Sequence, residues 1–163
     1  MQHKTLTVAA MFCLMLAGFR YVEAQNSSRQ SAQVSAAANA GDKEYVPAYH
    51  ADAPRGPLPA TIDPKQFLNV QDQNIYALAA KVKAVLYQQP CYCRCDTYNG
   101  HKSLLDCFVD RHASMCTMCK KEAVYAYLQS QKGKTPAEIR KGIMDGQWKD
   151  VDLSTYRTST PSK

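Results

Sequence analysis

The chain has 163 residues, with 20 lysines and arginines against 14 aspartates and glutamates, and it contains seven cysteines. The formal net charge of +6 is spread over separated basic pairs without interleaved aromatic residues, so a solvated helix surface is predicted and no nucleic-acid partner. The sequence lacks a Ser-His-Asp order, a paired-carboxylate signature, a phosphate-binding loop and a dinucleotide fingerprint, which argues against a hydrolase, a kinase or a dehydrogenase.

Residues 1–24 have the pattern of a secretory signal peptide. Lys4 precedes an apolar run over residues 6–18, and Ala24 stands before the polar Gln25. The run is too short for a helix that crosses a hydrocarbon core of about 30 Å. We therefore expect cleavage after Ala24, loss of Cys13 with the signal, and no transmembrane span in the mature chain. The expected location is periplasmic or extracellular, where disulfides can persist.

Residues 25–60 are predicted to be a disordered Ala/Ser/Pro-rich linker. Small and polar residues dominate its first half, and prolines from Pro47 to Pro59 interrupt the second half. Such a segment cannot bury enough apolar area to offset its ordering entropy. Residues 154–163 are predicted to form a disordered tail for the same reason. The globular domain is expected over residues 61–153, a size at which covalent or metal staples matter for stability.

This domain is predicted to be all-α, with about four helices and no convincing strand. The dipeptide Asp63-Pro64 offers a cap and a first-turn proline. Apolar residues recur at spacings of three, four and seven after Asp72. This periodicity predicts one amphipathic helix that ends before Pro90.

Three further helix starts follow along the domain. Ser103 is placed to cap a short turn, and Ser114 precedes a longer helix that extends to about Gln131. The last helix begins at a capping box formed by Thr135 and Glu138, with a proline at the first helical position.

Six of the seven cysteines lie in one short segment, in the order Cys-Tyr-Cys-Arg-Cys, a single cysteine and Cys-Thr-Met-Cys, with two histidines among them. The last two cysteines share a helix face with small apolar residues. We therefore expect the loop of residues 91–95 to pack against the start of their helix. Met115 and Met118 flank that pair and are interpreted as core residues. The six cysteines and the two histidines together are Cys91, Cys93, Cys95, His101, Cys107, His112, Cys116 and Cys119.

Three chemistries are compatible with these side chains. In the first, the cysteines form three structural disulfides in a scaffold or interaction domain, as in many small exported domains. Against it, a Cys-x-Cys pair bridges only with strain. In the second, the chain is a thiol-disulfide redox protein. A cap at Ser114 would place Cys116 in the first helical turn, where the helix dipole lowers a thiol pKa. The redox candidates are Cys93, Cys95, Cys116 and Cys119.

In the third, the thiolates and imidazoles bind a soft metal ion, copper or zinc. All eight side chains are candidate ligands, enough for one tetrahedral site with spares, for a Cu(I) site or for a two-metal cluster. We rank metal binding first, because a two-cysteine exchange site needs far fewer ligands. The expected partner is a redox or metal-transfer protein, and the expected enzyme class, if there is one, is thiol-disulfide oxidoreductase.

A set of short motifs marks the cysteine segment: Gln89-Pro-Cys-Tyr-Cys-Arg-Cys-Asp96, Gly100-His-Lys-Ser-Leu104, Cys107-Phe108 and Cys116-x-x-Cys119. These motifs resemble the CYCxC or PCYCGC-motif family of exported bacterial proteins, over roughly residues 72–153. Arg94 stands where many relatives have glycine. The resemblance implies an uncharacterised domain, some of whose similar members are thought to be selenoproteins. Selenocysteine in the motif would favour redox or soft-metal chemistry over a purely structural role.

Overall fold

The structure, a computed structural model, describes residues 45–157. The predicted signal peptide, its Cys13 and the linker as far as residue 44 lie outside the described residues, as do residues 158–163. Between residues 45 and 157, no helix has both the length and the apolar character that a membrane crossing requires.

Over residues 45–157 the structure contains seven α-helices, three 3₁₀ turns and no strand, which confirms the all-α prediction. Four helices have five residues or more, namely α1 (Val70–Lys81), α2 (Lys83–Tyr87), α6 (Thr117–Gln131) and α7 (Pro136–Met144). The other three are single turns of four residues, namely α3 (Cys95–Tyr98), α4 (Asp106–Val109) and α5 (His112–Met115). The 3₁₀ turns are Pro64–Gln66, Gln147–Asp150 and Ser154–Tyr156.

The first predicted helix is divided in two. Asn69 caps α1 through its side-chain oxygen, which accepts the N–H of Gln71 over 2.9 Å. At Val82 the backbone leaves the helical conformation (φ −123°). The N–H of Val82 donates to the carbonyl of Ala79 over 3.1 Å, the bond of a tighter 3₁₀ turn. α2 then leads the chain to the loop that begins at Pro90.

The prediction that Ser114 caps the long helix is wrong. Cys116 is the N-cap residue of α6, which begins at Thr117. The Ser114 hydroxyl instead donates to the carbonyl of Arg111 over 2.7 Å, inside the separate turn α5. Cys116 therefore lies one position before the first turn of α6 and not within it.

The predicted capping box at the start of α7 is confirmed. Thr135 Oγ1 accepts the N–H of Glu138, and the Glu138 carboxylate accepts the N–H of Thr135 over 2.8 Å. α7 packs on α6 where Gly142 meets Tyr125, and a Cβ at Gly142 would overlap the tyrosine ring. The Tyr125 hydroxyl donates to Gln147 over 2.7 Å. A glycine is therefore required for this close approach.

The core lies between α1 and α6 and extends to α7 and to the cysteine segment. Its apolar side chains are withdrawn from water, each contributing about 1.5–3 kcal/mol relative to exposure. Cys91, Cys95, Cys107 and Cys119 belong to the same core. The largest fully buried members include Ile75, Tyr76, Leu86, Leu104, Leu105, Phe108, Val124, Ile139 and Ile143.

A buried ion pair joins α1 to α6. Lys120 Nζ lies 2.6 Å from Asp72 Oδ1, and each of the two side chains is only 10% exposed. The prediction of a solvated surface is therefore wrong for Lys120. Helical periodicity could not reveal that Lys120 is buried, because its partner Asp72 lies 48 residues earlier in the chain.

Residues 46–50 lie against the helical domain, and we call them the strap. Pro47 is fully buried, and the N–H of Ala48 donates to Asp96 Oδ2 over 3.1 Å. The His50 ring stacks on Tyr87 with centroids 3.9 Å apart. The strap belongs to the stretch that the sequence assigns to the linker, and these contacts attach it to the domain.

Candidate metal centre

The structure brings the eight predicted side chains together in one continuous cluster. Three sulfur atoms form a nearly equilateral triangle. Cys91 Sγ lies 3.4 Å from Cys93 Sγ and 3.3 Å from Cys119 Sγ. Cys119 Sγ lies 3.4 Å from Cys93 Sγ. The predicted packing of the CYCRC loop on the start of the Cys116–Cys119 segment is thereby confirmed.

One group of four ligands surrounds one side of this triangle, and we call it the outer group. Its members are Cys93, His112, Cys116 and Cys119, whose ligand atoms all lie within 4.8 Å of one another. His112 Nε2 is 3.3 Å from Cys93 Sγ. Cys93, His112 and Cys116 are half-buried and Cys119 is buried, so the outer group is in contact with solvent.

The remaining four side chains form the inner group: Cys91, Cys95, His101 and Cys107. The ligand atoms of Cys95, His101 and Cys107 lie within 4.8 Å of one another. Cys107 Sγ is 3.4 Å from Cys95 Sγ and 3.3 Å from His101 Nδ1. Cys91 Sγ is also within 4.8 Å of Cys95 and of Cys107. All four are buried, His101 being the most exposed at 8%.

A tight turn at Arg94 makes Cys91, Cys93 and Cys95 converge. In an extended chain, Cys93 would point away from its two neighbours. Arg94 instead adopts a left-handed conformation (φ 63°, ψ 23°), and the three sulfur atoms lie within 4.8 Å of one another. Left-handed backbone favours glycine because a Cβ is strained there. Glycine stands at this position in the PCYCGC motif that the sequence resembles.

The sulfur spacing differs from that of disulfides. The closest sulfur pairs are 3.3–3.4 Å apart, whereas a disulfide bond measures about 2.05 Å. Thiolates bound tetrahedrally to zinc at about 2.3 Å are about 3.8 Å apart, which is much closer to the observed spacing. All six cysteines of the described residues are free. The three disulfides of the first hypothesis are therefore absent from this part of the chain.

Asp110, which is not among the predicted site residues, contacts the segments of both histidines. Its Oδ2 lies 3.1 Å from His101 Nε2, and its Oδ1 accepts the N–H of His112 over 2.7 Å. The Tyr76 hydroxyl donates to its carbonyl over 2.9 Å. A carboxylate that accepts one ring N–H of a histidine orients the other nitrogen for a metal, here Nδ1 beside Cys107. The only signal of Asp110 in the sequence is its position two residues before His112, where an aspartate side chain commonly accepts a backbone N–H in a turn.

The same contacts set the protonation of His101. Burial lowers its pKa, but the hydrogen bond with Cys107 and the charge of Asp110 outweigh burial, so the pKa is raised above its ordinary value. A raised pKa means that protons compete with a metal ion for Nδ1 as the pH falls.

Glu122 is a further group that is not among the predicted site residues. It is fully buried, and its Oε1 accepts the N–H of Tyr92, inside the CYCRC loop, over 2.9 Å. Burial raises the pKa of Glu122 to about 8, so the carboxyl is largely protonated at neutral pH. Its signal in the sequence is its place one helical turn after Cys119.

The thiols of the cluster differ in pKa. Hydrogen bonds from neighbouring thiols, that of Cys107 first, hold the pKa of Cys93 well below its usual range. The pKa values of Cys91 and Cys95 are raised, chiefly by their hydrogen bonds with Cys107 and also by burial. Each additional thiolate in this buried space repels those already present, and a bound cation removes that repulsion. The cluster can therefore bind a metal ion, which would favour the full set of thiolates.

The interpretation of Met115 and Met118 as core residues is wrong. Their side chains are 83% and 38% exposed. Met115 is the last residue of α5, and Met118 is the second residue of α6 and lies on its exposed side. Neither side chain therefore points into the core.

Comparison with known proteins agrees with the motif resemblance. The chain matches, over residues 10–162, a family described as "Protein of unknown function with PCYCGC motif". No curated protein and no solved structure matches it. The motif reads Pro-Cys-Tyr-Cys-Arg-Cys from Pro90 to Cys95 in this sequence, with arginine at the left-handed position. Because this match covers most of the chain, the protein belongs to the PCYCGC-motif family.

Proposed function

We propose that this protein is an exported metal-binding module that holds copper or zinc through cysteine thiolates and histidine imidazoles. One observation carries the proposal. Eight soft or borderline ligands converge in one cluster, and no disulfide joins any of the six cysteines in residues 45–157. Soft thiolates select Cu(I) and Zn(II), and imidazole suits both metals.

The charge of the cluster supports this proposal. Four of its cysteines are buried, and buried thiolates are unfavourable without a compensating cation. The hydrogen bond from His101 to Asp110 has the arrangement that accompanies histidine ligands in many metal sites. The open side of the outer group gives an ion a route to the cluster from solvent.

The test uses the full chain purified without added metal from the compartment to which it is exported. Copper, zinc and iron are measured by elemental analysis, and free thiols are counted by alkylation and mass spectrometry before and after reduction. We expect stoichiometric copper or zinc, and thiols that become reactive only after a chelator removes it. A metal-free protein with three bridges that glutathione does not reduce would overturn the proposal.

Matched variants separate a ligand effect from a general loss of structure. Cys116→Ser and His112→Ala each remove a half-buried ligand and should lower the bound metal. His50→Ala removes a histidine of the strap, outside the cluster, and should leave the metal content unchanged.

Thiol-disulfide exchange is a second candidate function, and the lowered pKa of the half-buried Cys93 favours it. The Cys93 thiolate would attack a disulfide of a partner protein and release one partner thiolate. Cys119, 3.4 Å away, would then attack Cys93 Sγ. The second partner thiolate would leave, and two electrons would pass from the cysteines to the partner. A metal-free protein with one labile bridge of high reduction potential would support this alternative.

A further inference from the structure

We infer that the cluster holds two metal ions, an outer ion bound by Cys93, His112, Cys116 and Cys119 and an inner ion bound by Cys91, Cys95, His101 and Cys107. The inference rests on the proposed function and specifies how many ions the centre takes and which side chains hold each. It also assigns them different rates of exchange with solvent.

The cluster has more ligands than one metal ion binds. A structural zinc ion takes four protein ligands, and three cysteines with one histidine is one of the usual sets. The outer group is such a set on its own, with its four ligand atoms within 4.8 Å of one another. An ion bound there would leave four buried sulfur and nitrogen ligands, which also comprise three cysteines and one histidine. A single ion therefore accounts for only half of the cluster.

Cys91 lies between the two groups. Its sulfur is 3.4 Å from Cys93 and 3.3 Å from Cys119 in the outer group. It is also within 4.8 Å of Cys95 and Cys107 in the inner group. The two ions would thus be neighbours, with the Cys91 thiolate of the inner ion lying between them.

The two groups differ in their access to solvent. Three of the outer ligands are half-buried, whereas Cys107 is fully buried and Cys95 is 2% exposed. Pro47 and Ala48 of the strap cover the inner group, and the space that they enclose with Cys91, Cys95 and His101 is too small for a water molecule. An inner ion can leave only when the strap or the CYCRC loop moves, so the outer ion exchanges first.

The experiment titrates the reduced, metal-free full chain with Zn²⁺ under anaerobic conditions and counts ions by native mass spectrometry. Isotopically labelled Zn²⁺ then reports exchange of each bound ion over time. We expect two ions at saturation and two exchange phases, the slower by more than about tenfold because a covered site must open locally. Pro47→Gly should keep both ions and accelerate only the slow phase.

Variants of single ligands identify which bound ion gives the fast exchange phase and which gives the slow one. His112→Ala and Cys116→Ser, at half-buried positions, should each retain one ion that exchanges slowly. His101→Ala should retain one ion that exchanges rapidly. If His101→Ala fails to fold, the two variants of the outer group alone still decide the assignment. His50→Ala should bind two ions, as the unaltered chain does.

One Zn²⁺ ion at saturation, abolished by the inner and outer variants alike, would overturn the two-ion centre and leave the proposed metal binding intact. Two ions that exchange at a single rate would overturn the difference in access. Binding of neither Zn²⁺ nor Cu⁺ in the same titration would overturn both this inference and the proposed function.

Discussion

The carboxylate of Asp110 lies 3.1 Å from Nε2 of His101, so that Nδ1 of the same ring faces the sulfur of Cys107 at 3.3 Å. Asp110→Asn should lower the affinity for Zn²⁺ by about 10–100-fold, the usual effect of losing such a carboxylate. The asparagine oxygen can still accept the N–H of His112, so the turn is kept. Competition with a chromophoric chelator measures the affinity.

Asp145→Asn is the control for this variant. Asp145 pairs with Lys141 at 2.7 Å on the exposed side of α7, away from the cluster, and its loss should not change the affinity. If Asp110→Asn bound Zn²⁺ as tightly as the Asp145 variant does, Asp110 would have no part in orienting His101.

Glu122 should make the stability of the metal-free protein depend on pH. Its pKa is about 8 when folded against an ordinary value of 4.5, so the folded state binds more protons than the unfolded state. The contribution of Glu122 to stability is then fully present below about pH 4.5, falls as the pH rises, and levels off above about pH 8. The loss at pH 7 is roughly 3 kcal/mol.

Glu122→Gln should remove this contribution, which urea unfolding with a reductant measures across that pH range. Glu138→Gln is the matched control, because Glu138 is exposed and its pKa is lowered by the Thr135 hydrogen bonds. That variant should keep the slope. An unchanged slope in Glu122→Gln would show that the buried carboxyl does not hold its proton.

Arg94→Gly should stabilise the protein, because Arg94 has a positive φ of 63°. A left-handed residue with a Cβ is strained by about 1–2 kcal/mol, and the greater freedom of glycine in the unfolded chain offsets part of that gain. We expect a net increase of about 0.5–1 kcal/mol in the free energy of unfolding, seen as a higher urea midpoint. Arg94→Ala retains the Cβ and should give no such increase. Equal stabilisation by alanine would trace the effect to the arginine side chain.

Breaking the ion pair between Asp72 and Lys120 should be costly. The two side chains are 2.6 Å apart and each is only 10% exposed. Asp72→Ala leaves an unpaired ammonium in the core and should destabilise the protein by about 3–5 kcal/mol. The double variant Asp72→Leu with Lys120→Met should recover most of the loss, as measured by urea unfolding. A double variant no more stable than Asp72→Ala would mean that packing around these positions, and not the stranded charge, causes the loss.

Local sequence signals predicted local structure well. The capping box of Thr135 and Glu138 is decided by residues three apart, and the structure reproduces it. The helical class and the packing of the CYCRC loop on the Cys116–Cys119 segment follow from periodicity and spacing in the same way. The interruption at Val82 was not predictable, because the apolar pattern continues through it.

The partners of the cluster were harder to predict than its ligands. Cysteines and histidines are recognisable by type, whereas Asp110 and Glu122 are ordinary residues whose role depends on what the fold brings to them. Lys120 shows the same limit, since only the position of Asp72 on another helix makes it a buried residue. Contacts between distant segments carry no signature in a single sequence.

The buried position of Pro47 means that the chemical protection of the inner thiols depends on residues outside the predicted domain of residues 61–153. A chain shortened to begin at residue 61 would keep every cysteine of the cluster but would lose the strap that lies over Cys91 and Cys95. Peroxide and dissolved oxygen would then reach sulfur atoms that the longer chain shields, and oxidation to sulfenic acid or to disulfides would follow. The segment before the helices is therefore expected to limit the access of oxidants to the inner sulfur atoms.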